Sequence, residues 1–134
     1  MPTVTAANLT LSTTNQTTRI TVAYSVRFSV VERRLAGLGL VFRARIRVIG
    51  VDPPGGTTGT VLANFPPDDL EVTDGGAPQT LTRSPFIDRP RSSLQEDTGL
   101  GDHDEIRCGI RIAAIGLPPL ETPDRFTDQE ILIG

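Results

Sequence analysis

The sequence predicts an all-β fold, an antiparallel β-sandwich of about seven to nine strands. Three observations predict it: apolar and polar residues alternate along several segments, Gly and Pro clusters separate these segments, and no segment repeats its apolar residues with a helical period. A chain of 134 residues is long enough to bury a core without disulfides or metal ions. We therefore expect a single β-sandwich domain over residues 1–134.

Three long segments carry the clearest alternation. In residues 19–30 every second residue from Ile20 to Val30 is apolar, and residues 38–49 and 105–115 repeat the pattern. Successive side chains of a strand point to opposite faces of the sheet. Each segment is therefore predicted to be a strand with one buried face and one solvent-facing side.

Shorter segments complete the predicted set of strands. They cover residues 4–11, 58–64, 70–73, 79–83 and 126–133. The segment around Glu32, Gly37 and Gly39 is predicted to connect two of the long strands. The polar stretch 84–104 is predicted to be a long surface loop with one short helical turn over 92–96.

The charges are unusual in type and in distribution. The chain contains no lysine, so its thirteen basic residues are all arginine. Residues 1–50 carry seven arginines and one acidic residue, Glu32, whereas residues 51–134 carry six arginines and fifteen acidic residues. Because the net charge is −3, the composition argues against non-specific binding to nucleic acid. The separation of basic residues in the first part of the chain from acidic residues in the second part is compatible with electrostatic contacts between subunits.

An arginine stripe is the first candidate binding surface. Arg43, Arg45 and Arg47 alternate along one strand, so they share one face of the sheet. Arg107 and Arg111 lie on the polar face of another strand, and the five guanidinium groups would form one surface if these strands were neighbours. Such a surface would bind carboxylates of another subunit, or an anionic ligand, through bidentate contacts. The alternative is a solvated outer face, with acidic side chains placed among the arginines.

The acidic loop over residues 96–105 is the second candidate site. Asp97, Asp102, Asp104 and Glu105 could supply the oxygen ligands that calcium prefers. The loop lacks the twelve-residue pattern of an EF-hand, and Asp/Gly-rich loops are common as simple turns. The favoured interpretation predicts no cofactor, and calcium is the alternative.

The sequence predicts no enzyme. The single histidine, His103, would need a nucleophile beside it, and no Gly-x-Ser-x-Gly elbow is present for a serine hydrolase. Cys108, the single cysteine, alternates with Ile106 and Ile110, so it is predicted to be a buried and unreactive thiol.

Two sandwich subtypes share features with this chain. The strand count resembles that of an immunoglobulin-like sandwich, and residues 104–108 loosely resemble the strand that carries the second cysteine of such domains. The chain departs from that pattern because it has no second cysteine, no tryptophan, and Ile106 at the position of the corner tyrosine. The pair Asp102-x-Asp104 resembles the calcium loops of C2-like sandwiches, which implies a calcium site at that loop.

From these observations we expect a non-enzymatic interaction module, a subunit of a homo- or hetero-oligomeric assembly. Its contacts would be the arginine stripe and the edge strands near residues 4–11 and 126–133. The partners would be protein subunits, with self-association favoured, and neither nucleic acid nor membrane insertion is expected. The most apolar run, residues 35–42, is far shorter than the roughly 18 residues that a membrane-spanning helix requires. The alternative is a calcium-dependent or carbohydrate-binding module that uses the acidic loop.

Overall fold

The computed structural model describes residues 2–51, 59–90, 104–115, 125–127 and 130–132. Within these ranges the chain forms ten strands and one helix. In chain order they are β1 (Thr3–Thr14), β2 (Thr17–Phe28), α1 (Val30–Gly37), β3 (Val41–Val51), β4 (Gly59–Asn64), β5 (Asp68–Leu70), β6 (Gln79–Arg83), β7 (Phe86–Pro90), β8 (Asp104–Ile115), β9 (Arg125–Phe126) and β10 (Glu130–Leu132).

The strands form two antiparallel sheets. Sheet A consists of β1, β2, β6 and β7, and β2 pairs with β1 on one side and with β6 and β7 on the other. Sheet B is built on the long pair β3–β8; β4 and β5 flank β3, and β9 and β10 flank β8. The antiparallel β-sandwich is therefore confirmed, whereas its immunoglobulin-like or C2-like subtype stays a prediction. The strands outnumber the predicted seven to nine because β7 lies in a stretch predicted to be a loop and because the last predicted strand is divided into β9 and β10.

The core lies between the sheets and uses the predicted apolar faces. Alternate residues of β2, β3 and β8 are buried in one cluster: Ile20, Val22, Tyr24, Val26, Phe28, Phe42, Ala44, Ile46, Val48, Ile106, Cys108, Ile110 and Ile112. The rings of Phe28 and Phe42 meet across the two sheets, with centroids 5.0 Å apart. Period-two alternation thus fixed which side of each long strand is buried, because a side chain on the wrong face would expose apolar surface to water.

The hairpin of β1 and β2 closes with two residues. Asn15 and Gln16 have φ of 51° and 64°. Positive φ at both central positions is the geometry of a type I′ turn, whose twist matches that of the flanking strands.

β1 lies at one edge of sheet A, and β9 and β10 lie at one edge of sheet B, as the sequence predicted for both segments.

The connection between β2 and β3 contains helix α1, whereas the sequence predicted a connection there without a helix. The Ser29 hydroxyl accepts a hydrogen bond from the Glu32 backbone N–H (3.2 Å), and the Ser29 N–H donates to the Glu32 carboxylate (2.7 Å). This reciprocal pair is a capping box, which satisfies two N–H groups at the start of the helix. Strand β2 accordingly ends at Phe28 and not at the predicted Val30, and strand β3 begins at Val41 and not at the predicted Leu38.

The segments around residues 84 and 126 also differ from expectation. Strand β7 lies inside the stretch predicted to be a loop, and it pairs with the first half of β2 while Ile87 enters the core. The final predicted strand is divided into β9 and β10, and Thr127, which follows β9, is buried. Its hydroxyl accepts a hydrogen bond from the Cys108 N–H at 2.8 Å. The predicted helical turn over 92–96 lies outside the described residues.

Candidate functional site: an arginine-lined cleft on sheet B

The five predicted arginines share the outer face of sheet B because β3 and β8 are direct neighbours. Arg43 lies opposite Ala113, Arg45 opposite Arg111, and Arg47 opposite Gly109, while Arg107 lies opposite Ile49. The residues that alternate with them point into the core. The structure therefore confirms the adjacency on which the arginine surface depended.

The ends of this surface differ from its centre. Arg43 donates two hydrogen bonds to Asp69 of β5, at 2.6 and 3.4 Å, which lowers the pKa of the Asp69 carboxyl. Acidic side chains among the arginines were part of the alternative prediction. At this end of the surface, Asp69 neutralises the charge of Arg43. At the other end, Arg107 is half-buried opposite Ile49, whose side chain is only 3% exposed.

The centre of the surface is a cleft, and its cause is a break in the ladder beside β3. Strand β4 leaves β3 after Asn64, which pairs with Arg47, and β5 rejoins β3 at Asp68, which pairs with Ala44. Three residues, 65–67, thus span two residues of β3. The Phe65 N–H donates to the Ile46 carbonyl at 3.0 Å, but Pro66 and Pro67 have no N–H to continue the ladder.

The cleft beside this break has a volume of about 390 Å³. Its lining consists of Arg45, Ile46, Arg47, Asn64, Phe65, Pro67 and Arg111. Three of the five predicted arginines therefore converge on one concave site, and Arg43 and Arg107 flank it. Neither Asn64 nor Pro67 was predicted to belong to the site, although the Pro-Pro pair that ends β4 was recognised as a strand terminator.

Arg45 differs from its two neighbours in exposure. Its side chain is exposed, whereas Arg47 and Arg111 are half-buried. Within the described ranges, no carboxylate forms an ion pair with Arg45. Directly opposed residues of antiparallel strands have Cβ atoms about 5 Å apart, and like charges at such positions repel.

Gly109 gives Arg47 room beside β8. A Cβ atom on Gly109 would lie 3.3 Å from Cε1 of Phe126 and 3.6 Å from Nη2 of Arg47. The phenylalanine ring and the guanidinium group therefore occupy the space that a larger residue at 109 would fill. Phe126 of β9 pairs with Gly109 and is a neighbour of the site that the sequence reading missed.

The predicted metal ligands are only partly within the described chain. Asp97 and Asp102 lie outside the described residues, as does His103, and Asp104 and Glu105 begin β8, where only their backbone is described. Among the described side chains, no group of three or more histidines, cysteines or acids could hold a metal ion. Calcium binding by the acidic loop stays a prediction.

Helix α1 presents an apolar surface that was not predicted. Val31 and Leu35 of the helix and Leu38, the residue that caps its C-terminus, are 67%, 39% and 87% exposed, while Glu32 is buried. The spacing i, i+4, i+7 places the three on one side of a helix. The signal Ser29-x-x-Glu32 could have revealed the helix, since it is the pattern of a capping box.

A second, polar cleft of about 230 Å³ lies on sheet A near the β1–β2 turn. Ser12, Thr14, Thr17, Arg19 and Asp88 line it. Arg19 donates to both carboxylate oxygens of Asp88 (2.9 and 3.1 Å), and its Cζ atom lies 4.2 Å from the centroid of the Phe86 ring. The charges of Arg19 and Asp88 therefore cancel within this cleft.

Cys108 is confirmed as a buried thiol. Its side chain is 0% exposed, and burial raises the pKa of the Cys108 thiol to about 12. The reactive thiolate is therefore scarce near neutral pH.

Comparison with known protein families, with curated proteins and with solved structures found no significant match. Within the described residues, no helix has the length and apolar character needed to cross a membrane.

Proposed function

We propose that this chain is a non-enzymatic interaction module, a subunit of a homo- or hetero-oligomeric assembly. Its main contact would be the arginine face of sheet B, which would bind acidic side chains of a partner protein. The single observation that carries the proposal is the placement of Arg45 directly opposite Arg111 at the cleft that Arg47 also lines.

The type of cation supports a protein partner. Guanidinium groups bind carboxylates through two parallel hydrogen bonds and lose less hydration energy than an ammonium group when they are covered. A partner that covers the arginine face would therefore gain directional hydrogen bonds, and removing water from the guanidinium groups would cost a moderate amount of free energy. The apolar surface of α1 and the uncharged edge strand β1 are further surfaces of the kind found at interfaces.

Self-association is favoured because the chain also carries exposed acidic residues. Glu71 and Asp74, between β5 and β6, are exposed. A basic face that binds an acidic segment elsewhere on an identical copy makes a heterologous contact, which builds rings or filaments rather than isolated pairs.

Light scattering over a concentration series tests the proposal. We expect oligomers at low ionic strength that dissociate as salt is added, since exposed charges are screened over about 10 Å at 0.1 M salt. Arg45→Glu should shift the protein towards monomer. Arg27→Glu, at an exposed arginine on sheet A, makes the same charge change away from the cleft and should leave the distribution unchanged. A strict monomer at every concentration would contradict self-association.

The alternative, a calcium-dependent or carbohydrate-binding module that uses the acidic loop, is tested by thermal unfolding with calcium and with a chelator. A ligand that binds only the native state must raise the melting temperature. An unchanged melting temperature would contradict calcium binding.

A further inference from the structure

Three of the four sheet edges in the described chain carry features that hinder pairing with another chain. Sheet A ends on one side at β6 and β7, where Pro85 interrupts the edge and the strands contain charged residues such as Arg83 and Asp88. Sheet B ends on one side at β4 and β5, which Pro66 and Pro67 separate, and on the other at β9 and β10, which have only two and three residues. Proline, charge and short length are the means by which natural proteins keep edge strands from pairing.

Strand β1, at the fourth edge, lacks these features over most of its length. Its twelve residues, Thr3–Thr14, include no charged residue and no proline. A β-bulge between Val4 and Ala6 disturbs its start, but from Ala7 to Thr14 it follows β2 without interruption. Within the described chain, β1 pairs with β2 alone. A regular and uncharged edge of this length is a template for a further strand.

The turn after β1 identifies the backbone groups that face the open edge. Thr14 and Thr17 flank a two-residue turn, so they form a hydrogen-bonded pair, and such pairs alternate along the hairpin with pairs that are not hydrogen-bonded. Leu9 and Val22 form a pair of the second kind, and the Val22 N–H accordingly donates to the Pro85 carbonyl, on the side of β2 away from β1, at 3.0 Å. The N–H and carbonyl groups of every second residue of β1 therefore point away from β2: Ala7, Leu9, Leu11 and Thr13.

We propose that β1 pairs in antiparallel orientation with β1 of a second copy of this chain, about a twofold axis at Thr10. The pairing rests on the proposed function, because it makes the assembly a homo-oligomer. With Thr10 opposite its own copy, Ala7 exchanges hydrogen bonds with Thr13 of the second copy. Leu9 does the same with Leu11, so the register uses all four outward-facing residues. About eight backbone hydrogen bonds then join the two A sheets into one continuous sheet.

The side chains of β1 suit a second copy of the same strand. Residues near a twofold axis meet their own copies, so a charged residue there would face a like charge, and β1 contains none. On the core side, Leu11 is half-buried, and Leu9 of the second copy lies opposite to it and extends the core across the junction. On the outer side, the exposed Thr10 meets Thr10 of the second copy, a cross-strand pair that can form a hydrogen bond.

Sedimentation equilibrium of the full chain at high salt tests the proposal. At about 1 M salt, exposed charges are screened over about 3 Å, so contacts of the arginine face should dissociate. The pairing of β1 involves no charged side chain, so salt should reduce larger oligomers to a dimer and leave that dimer intact. A monomer at high salt and high protein concentration would overturn the proposal.

Charges placed at Thr10 test the twofold register. Thr10→Glu puts two carboxylates at one cross-strand position and should raise the Kd of the dimer about tenfold or more, because adjacent like charges oppose association. Thr10→Arg should have the same effect. A mixture of the two variants should recover the dimer, since opposite charges then meet at the axis. An unchanged Kd in Thr10→Glu, or a loss without recovery in the mixture, would overturn the pairing at Thr10.

Thr80→Glu is the matched control for these variants. Thr80 is another exposed threonine on sheet A, but it lies on β6, on the side of β2 away from β1, so its Kd should be unchanged. The measurements are made at about 0.15 M salt, where added charges act over about 8 Å. All variants carry Arg45→Glu, which removes contacts of the arginine face from the comparison.

Amide hydrogen exchange locates the interface on β1. The amides of Leu9 and Leu11 face the open edge, so they should exchange slowly in the dimer and rapidly in Thr10→Glu. The amides of Asn8 and Ser12 point towards β2 and should be protected in both proteins, which makes them an internal control. Equal exchange of Leu9 and Leu11 in the two proteins would overturn the pairing of β1.

The outcomes separate this inference from the proposed function. If a dimer persists at high salt and Thr10→Glu dissociates it, while Arg45→Glu alone has no effect at any salt concentration, the pairing of β1 stands and the arginine face fails. If salt dissociates every oligomer and the Thr10 variants have no effect, the pairing of β1 fails and the arginine face stands. A strict monomer under all conditions would overturn both.

Discussion

Arg45 of β3 lies directly opposite Arg111 of β8, so two cations share one cross-strand position on the outer face of sheet B. We expect Arg45→Thr to stabilise the isolated domain by up to about 1 kcal/mol, since it removes a like-charge pair and places a β-branched residue on an exposed strand face. Urea unfolding at low and high salt measures the change, and the gain should shrink as salt screens the repulsion. Arg27→Thr is the control, and an equal gain there would mean that only strand propensity had changed.

The capping box of α1 makes a second prediction. Ser29→Ala removes the oxygen that accepts from the Glu32 N–H, so it should lower the free energy of unfolding by about 1 kcal/mol. Ser29→Asp keeps an acceptor at the same position and should retain most of the stability. Urea unfolding of the three proteins measures the effect, and equal losses in both variants would show that the cap does not stabilise the native state.

The Tyr24 hydroxyl makes a third prediction. Tyr24 is 1% exposed, and its oxygen has no hydrogen-bond partner among the described residues. Burial, with a smaller contribution from the nearby Asp68 carboxylate, raises the pKa of Tyr24 to about 12. Because an unsatisfied buried hydroxyl is destabilising, Tyr24→Phe should leave the free energy of unfolding unchanged or raise it by about 1 kcal/mol. A loss of stability in urea unfolding would show that the hydroxyl has a partner in solution.

The ion pair of Arg19 and Asp88 makes a prediction about acid. The bidentate hydrogen bond from Arg19 holds the pKa of Asp88 below its ordinary value of 3.8. A depressed native pKa stabilises the folded state above the unfolded-state pKa, and this contribution is lost as the pH falls through the native value. We expect the urea midpoints of the wild type and Asp88→Asn to differ by a constant amount near neutral pH and to converge below about pH 4. A difference that persists unchanged in acid would contradict a charge-based origin.

Cys108 makes a prediction about reactivity. The thiol is fully buried and its pKa is raised, so a thiol reagent should react with it only after the protein opens. We expect labelling in native buffer to be much slower than in urea, and to accelerate in destabilised variants such as Ser29→Ala. Rapid labelling in native buffer would contradict the burial of this strand.

The elements that were predicted correctly are those whose signal is local. The alternation in β2, β3 and β8 specifies the buried face of each strand, because side chains of a strand alternate between faces whatever the strand pairs with. Cys108 was placed in the core on the same grounds. The missed elements had weaker or overlooked signals: α1 is short and exposes Val31 and Leu35, and β7 has only five residues in a polar stretch.

The sequence by itself determined the fold class, the inward faces of the long strands and the arginines available for a basic surface, since each depends on residue type and period along one segment. Only the tertiary structure decided that β3 and β8 pair in the register that opposes Arg45 and Arg111. It also decided that the prolines after β4 open a cleft beside these residues. Strand order and register depend on contacts between residues distant in the chain, and no local period encodes them.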